Sequence, residues 1–163
     1  MNFDSIEPPY LGLSVASPAE FYAYAHKLNH EKGSEIAVRV VRGKKMRRLD
    51  DLYDEFAAAF QFPDYFGENW AAFDECLADL EWLPAHGYVL LVSNAVEVLG
   101  DESEKQFSTL VRILSEICAE WGRAKTPKPF HVLFQCTDAD LENVQRRASS
   151  TLQGIPVSRL VAS

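Results

Sequence analysis

Between Asp64 and Trp82 the chain carries six carboxylates and neither Lys nor Arg. Asp64-Tyr65-Phe66-Gly67-Glu68-Asn69 reads as a turn, and the residues after it read as a helix, so these acids ride on a rigid element. Four chemistries compete for them: an acid–base pair, a metal site, a merely solvated face, or a surface for a positively charged partner. On a helix starting near Gly67, Trp70, Phe73, Leu77 and Leu80 recur at three- and four-residue spacing with Cys76 beside them, which makes a core face. Glu68, Ala71, Glu75 and Asp79 form a separate stripe with Asp74 to one side, and the small residues Ala71 and Ala72 leave the backbone approachable. Carboxylates one turn apart repel by a few tenths of a kcal/mol per pair. Selection for stability alone would intersperse Lys. An opposing cationic site neutralises such a stripe, speeds encounter and sets specificity. Acid–base chemistry needs one acid with a raised pKa in a pocket, and a solvated helix face supplies no burial. Calcium would want a DxDxDG-like loop, which is absent.

The remaining reactive residue types offer less. His26 and His30 are spaced i, i+4 but lack an HExxH pattern and a third ligand, so they read as a solvated helix face. His86 flanks an apolar run and His131 lies within one, as structural residues do. There is no GxSxG, no cysteine in a nucleophile setting, and neither GxGxxG nor a P-loop to cradle phosphate. Cys76, Cys118 and Cys136 are sparse, odd in number and set in apolar segments, which suits buried thiols in a reducing compartment. No catalytic residue, metal ligand or cofactor is assigned, although a carboxylate pair in an unseen cleft would make an enzyme the third choice of function.

The elements that must hold the acidic stretch follow from periodicity. Ser17-Pro18-Ala19-Glu20 is a capping-box start for a helix that Gly33 stops. EIAVRVVRG reads as a β-branched strand, LDDLYDEFAAAF as an amphipathic helix, and GYVLLV as a central strand covered on both faces. DESEKQFSTLVRILSEICAEWG is a long helix closed by Gly122, FHVLFQC a third strand, and TDADLENVQRRAS a further helix. Alternating strands and helices predict an α/β fold: one domain over residues 1–163, with a small three-stranded parallel sheet packed with helices over 35–136. Residues 1–34 and 137–163 are additions to it, with LGLSV and IPVSRLV as edge strands. The net charge of −8 is uneven: residues 49–104 hold 14 acids and no base, whereas the rest holds all 16 Lys and Arg. That balance disfavours nucleic acid and favours a cationic ligand. Six bases crowd into RVVRGKKMRR, read as a solvated turn, with pairing to the acidic stretch or a second partner as alternatives. No apolar run approaches the ~20 residues of a membrane span, and the N-terminus lacks a signal-peptide pattern, so a cytoplasmic monomer is expected.

Phe62-Pro63-Asp64-Tyr65-Phe66-Gly67-Glu68-Asn69-Trp70, followed by Cys76-Leu77 and Asp79-Leu80, closely resembles the signature of the barstar family, intracellular inhibitors of barnase-type ribonucleases. The resemblance extends over roughly Glu35 to Cys136 and implies a protein inhibitor that plugs a cationic nuclease site with this loop and helix. It implies that Tyr65 is the loop aromatic that packs on the nuclease, that Gly67, Glu68 and Asn69 shape the turn, and that Glu75 takes the place of the key carboxylate, usually Asp. Glu116 aligns with a further acid on the long helix. Ala71 stands where a second interface Asp is common, Asp74 and Leu80 replace aromatics, and Asp79 lies where it compensates for Ala71. The implied partner is a barnase-like ribonuclease or a related basic nuclease toxin domain. The alternative is a regulatory module of the same fold with a non-nuclease partner.

Overall fold

A computed structural model describes residues 1–148, 151 and 154–160. The chain runs β1 (Leu11–Val15), α1 (Pro18–Lys32), β2 (Ile36–Arg42), α2 (Leu49–Phe60), α3 (Trp70–Asp79), β3 (Gly87–Ser93), α4 (Glu104–Arg123), β4 (Phe130–Cys136), α5 (Leu141–Arg147) and β5 (Val157–Arg159). All strand pairs are parallel, in the order β2-β3-β4-β1-β5. The predicted three-stranded parallel core is β2-β3-β4. Two more strands extend it, so the sheet has five.

LGLSV is not the edge strand expected of it. β1 sits between β4 and β5, buried at every position, with Leu11 opposite Val132 and Leu13 opposite Phe134. The C-terminal edge is β5, shorter than the expected IPVSRLV, whose Val161 lies outside the described residues. The helix expected in TDADLENVQRRAS is also shorter, a 3-10 turn at Asp138–Asp140 leading into α5, and its Ser149 lies outside the described residues.

Side chains alternate across the pleat, so each sheet face collects its own layer. Leu11, Leu13, Leu90, Val92, Val132 and Phe134 meet α2, α3, α4 and α5 in the larger core. Val38, Val89, Leu91 and Leu133 meet α1 and Phe3 in the smaller one. α1 begins with the predicted capping box: Ser17 Oγ accepts from the Glu20 N–H, and the Glu20 carboxylate accepts from the Ser17 N–H. In α4 the residues at inward helical spacing, Phe107, Leu110, Val111, Leu114 and Ile117, are fully buried, whereas Trp121, expected on the same stripe, is half-buried. α5 is tied into the same core by Arg147, which donates to the Val96 and Val98 carbonyls and lies 4.5 Å over the Phe107 ring.

Gly122 does not close α4, which runs to Arg123. A Cβ at Gly122 would come 2.6 Å from the Ile6 carbonyl oxygen, so this glycine admits the N-terminal segment against the helix. The basic turn is only partly solvated. Arg42 holds Glu55 through Nε at 2.7 Å and Nη2 at 2.9 Å, and its backbone N–H donates to the same carboxylate. Arg47 pairs with both Glu97 and Asp101, while Lys44, Lys45 and Arg48 are exposed.

Gly122→Ala tests the close approach. Helix propensity alone would make it stabilising by about 1 kcal/mol. The overlap with Ile6 makes it destabilising by about 1–3 kcal/mol instead, measured by urea unfolding, with faster amide exchange at residues 3–10.

Candidate partner-binding site

The loop that carries Tyr65 is built by aromatic packing below it. α2 ends at Gln61 in the left-handed region (φ 53°), and the Phe62 N–H returns to the Ala57 carbonyl. Phe62 and Phe66 then pack edge to face with centroids 5.0 Å apart, and Phe66 meets Tyr53 at 5.8 Å. With Phe62 and Phe66 turned into this packing, Tyr65 is 72% exposed. The helix itself starts later than the sequence suggests. Asn69 is its N-cap, with Oδ1 accepting from the Ala72 N–H at 2.9 Å and Nδ2 donating to the Gly67 carbonyl at 3.1 Å. Glu68, not Gly67, takes the left-handed backbone (φ 48°). Glu68 therefore belongs to the turn and not to the helical stripe.

Along α3 the core face is as expected. Phe73 and Leu77 are fully buried, Cys76 nearly so, and Leu80 closes the helix in the left-handed region while remaining buried. Phe73 packs against Phe56 at 4.8 Å and Trp70 at 5.4 Å. The Trp70 indole donates to Gln106 Oε1 on α4, and the Trp121 indole donates to the Leu77 carbonyl. Ala71, Glu75 and Asp79 are exposed along one side. Tyr65, Phe66, Ala72, Glu75, Cys76 and Asp79 line a cleft of 140 Å³ with an aromatic wall, two carboxylates and a thiol at its base. Burial, with Asp79 and Glu75 next, pushes the Cys76 thiol up, away from the reactive thiolate.

Asp74 faces away from this cleft toward α4. Burial and then the Glu116 carboxylate push its carboxyl above the ordinary range, against the pull of Arg112. An acid with a raised pKa does exist on this helix, contrary to the sequence reading of a fully solvated face. Its cause is the α3–α4 contact and not a substrate cleft. Glu116 is itself engaged, accepting from Arg112 Nη1 at 3.1 Å on both oxygens. Arg112 was missed in the sequence, although its i, i+4 spacing to Glu116 was readable. Among the described residues, Asp64, Glu68, Asp74, Glu75, Asp79 and Glu81 enter no ion pair within 4.0 Å.

Two carboxylates and a phenol around an open cleft have one evident chemical use. They offer charge-assisted acceptors and an aromatic face to a guanidinium, ammonium or imidazolium side chain. Among the described residues no three His, Cys, Asp or Glu gather as a metal site would need, and no helix is long and apolar enough to cross a membrane. His26, His30 and His86 are exposed. His131 is buried, with Nε2 against the Ser5 carbonyl.

The fold and surface thus define a class: a parallel α/β scaffold presenting an acidic, aromatic-flanked recognition loop and helix. The family model described as barstar (barnase inhibitor) matches residues 36–135. The chain belongs to the barstar family, whose members are non-catalytic inhibitors, and it is therefore not an enzyme. A comparison with curated proteins finds no match. Among solved structures it is similar to the Aeropyrum pernix ORC2 protein in ADPNP–ADP complexes, at 12% identity and a TM-score of 0.59, over 92% of this chain and 41% of that one. It is also similar to Drosophila ORC bound to GC-rich DNA and Cdc6, at 16% identity and a TM-score of 0.51, over 91% of this chain and 47% of that one. The chain spans less than half the length of these structures, and at such identities the likeness is one of fold alone.

The direction of the Asp74 shift fixes a stability signature. Its folded pKa lies above the unfolded one, so the native state holds the proton more tightly and loses stability as pH rises through that window. Asp74→Asn is expected to raise the urea midpoint at pH 7. That gain shrinks toward the ordinary aspartate range near pH 4, as paired unfolding curves at the two values will show.

Proposed function

We propose that the protein is a cytoplasmic inhibitor of a barnase-type ribonuclease or related basic nuclease domain, in an antitoxin or immunity role, which blocks the cationic active site with the Tyr65 loop and α3. The observation that carries this reading is the cleft lined by Tyr65, Glu75 and Asp79, carboxylates that enter no ion pair among the described residues. Family membership supports it independently. A nuclease site holds Arg, Lys and His to bind phosphate, and carboxylates placed there take the phosphates' hydrogen bonds while the loop excludes substrate. Binding, not chemistry, is the mechanism. The barnase–barstar pair is itself a known example of electrostatic steering and of charged hot spots.

The residues divide by role. Glu75 is the central carboxylate, Asp79 lies one turn on, Tyr65 supplies the aromatic wall, and Asn69, Gly67 and Glu68 hold the turn. Ala71 leaves a flat place beside Glu75 where the family commonly has Asp. This favours a nuclease with a differently shaped pocket over barnase itself, because partner choice rests on such local differences.

The test is affinity capture from the native cell, with a ribonuclease assay of the captured protein with and without the inhibitor. Glu75→Ala is expected to weaken inhibition by at least about tenfold, as a central charge facing an enclosed cation does. Glu31→Ala, on α1 across the sheet, should stay within about twofold, the range of a remote surface charge. Equal losses would remove Glu75 from the interface, and capture of a partner without nuclease activity would favour the regulatory alternative. The association rate should fall about tenfold or more between 50 and 500 mM salt; a flat rate contradicts electrostatic steering.

A further inference from the structure

Among the described residues, Arg112 on the neighbouring helix is a base whose charge acts on an α3 acid, Asp74, while its ion pair is to Glu116. From α4 its Nη1 reaches both oxygens of Glu116 at 3.1 Å, with the two side chains 56% and 55% exposed. The two helices are locked in register by the Trp70 indole on Gln106. Asp74 on α3 faces this pair, with Glu75 as its neighbour on its own helix and Glu116 and Arg112 opposite on α4.

The acidic surface therefore has two unlike halves. On the loop side, Glu75 and Asp79 flank Tyr65 in an open cleft with no base among the ion pairs of the described residues. On the α4 side, Glu116 holds the Arg112 guanidinium, and Asp74 lies within the reach of that charge without an ion pair to it. As a helix-stabilising pair, Arg112–Glu116 has little to offer. It is exposed and runs in the weaker orientation, base before acid, and such pairs contribute only a few tenths of a kcal/mol. Its placement matters more. A cation arriving at Glu116 must share that carboxylate with Arg112 or expel it, whereas a cation arriving at Glu75 meets no like charge.

We propose that Arg112 is a specificity-determining residue: as a resident counter-ion on the α3–α4 half of the surface, it confines a partner's cations to the Tyr65–Glu75–Asp79 cleft and turns them away from Asp74 and Glu116. A matching partner places its strongest cation over the cleft and a neutral or acidic group opposite Arg112. Discrimination of this kind works by a built-in repulsion as much as by attraction. The inference rests on the reading of this face as the partner surface.

Arg112's role is testable without the partner. The full chain is titrated with a hexa-arginine peptide at low salt, with binding mapped by NMR shifts. In the wild type the shifts are expected at Tyr65, Glu75 and Asp79, with Asp74 and Glu116 unmoved. Arg112→Gln should extend them to Asp74 and Glu116 and tighten the apparent Kd by about twofold or more, as removal of a rim charge does. Arg112→Lys, which keeps the charge, should restore the wild-type map. An Arg112→Gln map and Kd equal to wild type overturns the proposal, as does Arg112→Lys behaving like Arg112→Gln, or absence of peptide binding to all three proteins. Failure of the wild type to inhibit any captured nuclease overturns the inhibitor reading instead and leaves the peptide result standing.

Discussion

Like charges have to be held side by side by something other than themselves, and here that something is aromatic packing. The carboxylates of residues 64–81 have no base among them, so each helical turn that aligns two of them costs a few tenths of a kcal/mol. Beneath them Tyr53, Phe56, Phe62, Phe66, Trp70 and Phe73 form a chain of ring contacts with centroids 4.8–6.4 Å apart. Such a pair contributes about 0.5–1.5 kcal/mol beyond its area, so the packing outweighs the repulsion it has to contain. Three indole N–H groups fix the frame. Trp70 donates to Gln106, Trp121 to the Leu77 carbonyl and Trp82 to the Phe60 carbonyl, which ties both ends of α3 and the end of α2 to their neighbours. A surface under electrostatic tension is thus held on rigid elements, ready for an opposing cation.

Four other acids of the same long stretch are treated differently, because bases of the chain pair with them. Glu55 is clasped by Arg42, whose hydrogen bonds hold its carboxyl below the usual range. The clasp also occupies a backbone N–H of β2, an edge strand, and an occupied edge is a poor template for pairing with another chain. Glu97 and Asp101 are taken by Arg47, and Glu104 by Arg146. The basic turn neutralises acids that lie near the carboxyl ends of β2 and β3, leaving the acids of the Tyr65 loop and α3 unpaired. Asp50, Asp51 and Asp54 on α2 share with the acids of residues 64–81 the lack of an ion pair among the described residues, so the acidic stretch is neutralised within the chain only in part.

Much of this was legible in the sequence because its signals are local. The β-branched run of β2, the apolar run of β4, the apolar stripe of α4 and the Ser17–Glu20 box each declare themselves within a few residues. So did the division of α3 into a core face and an acidic side. What escaped depends on distant neighbours. Nothing local says that β1 inserts between β4 and β5, because parallel pairing joins segments about 120 residues apart through register and not through composition. Gly122 looked like a helix stop because the Ile6 carbonyl that requires its bareness lies at the other end of the chain. Gly67, Glu68 and Asn69 read as the turn, but which of them takes the left-handed backbone is set by contacts: Asn69 clamps the Gly67 carbonyl and the chain reverses at Glu68. Asp74 looked solvated because helical position alone does not show that α4 covers it.

The two departures at Ala71 and Asp74 bear on each other through this last point. The first turn of a helix favours a carboxylate, since the macrodipole and free N–H groups lie there. Ala71, in that first turn, forgoes the advantage. Asp74, one turn further in, carries a carboxylate where partial burial and the Glu116 charge both oppose ionisation. Stability alone would place the acid at 71 and an apolar residue at 74, so the arrangement runs against folding at both positions. Its consequence is spatial: negative charge is withdrawn from the flat beside Glu75 and set instead against α4, within reach of Arg112. The acids that line one cleft with Tyr65 are then Glu75 and Asp79.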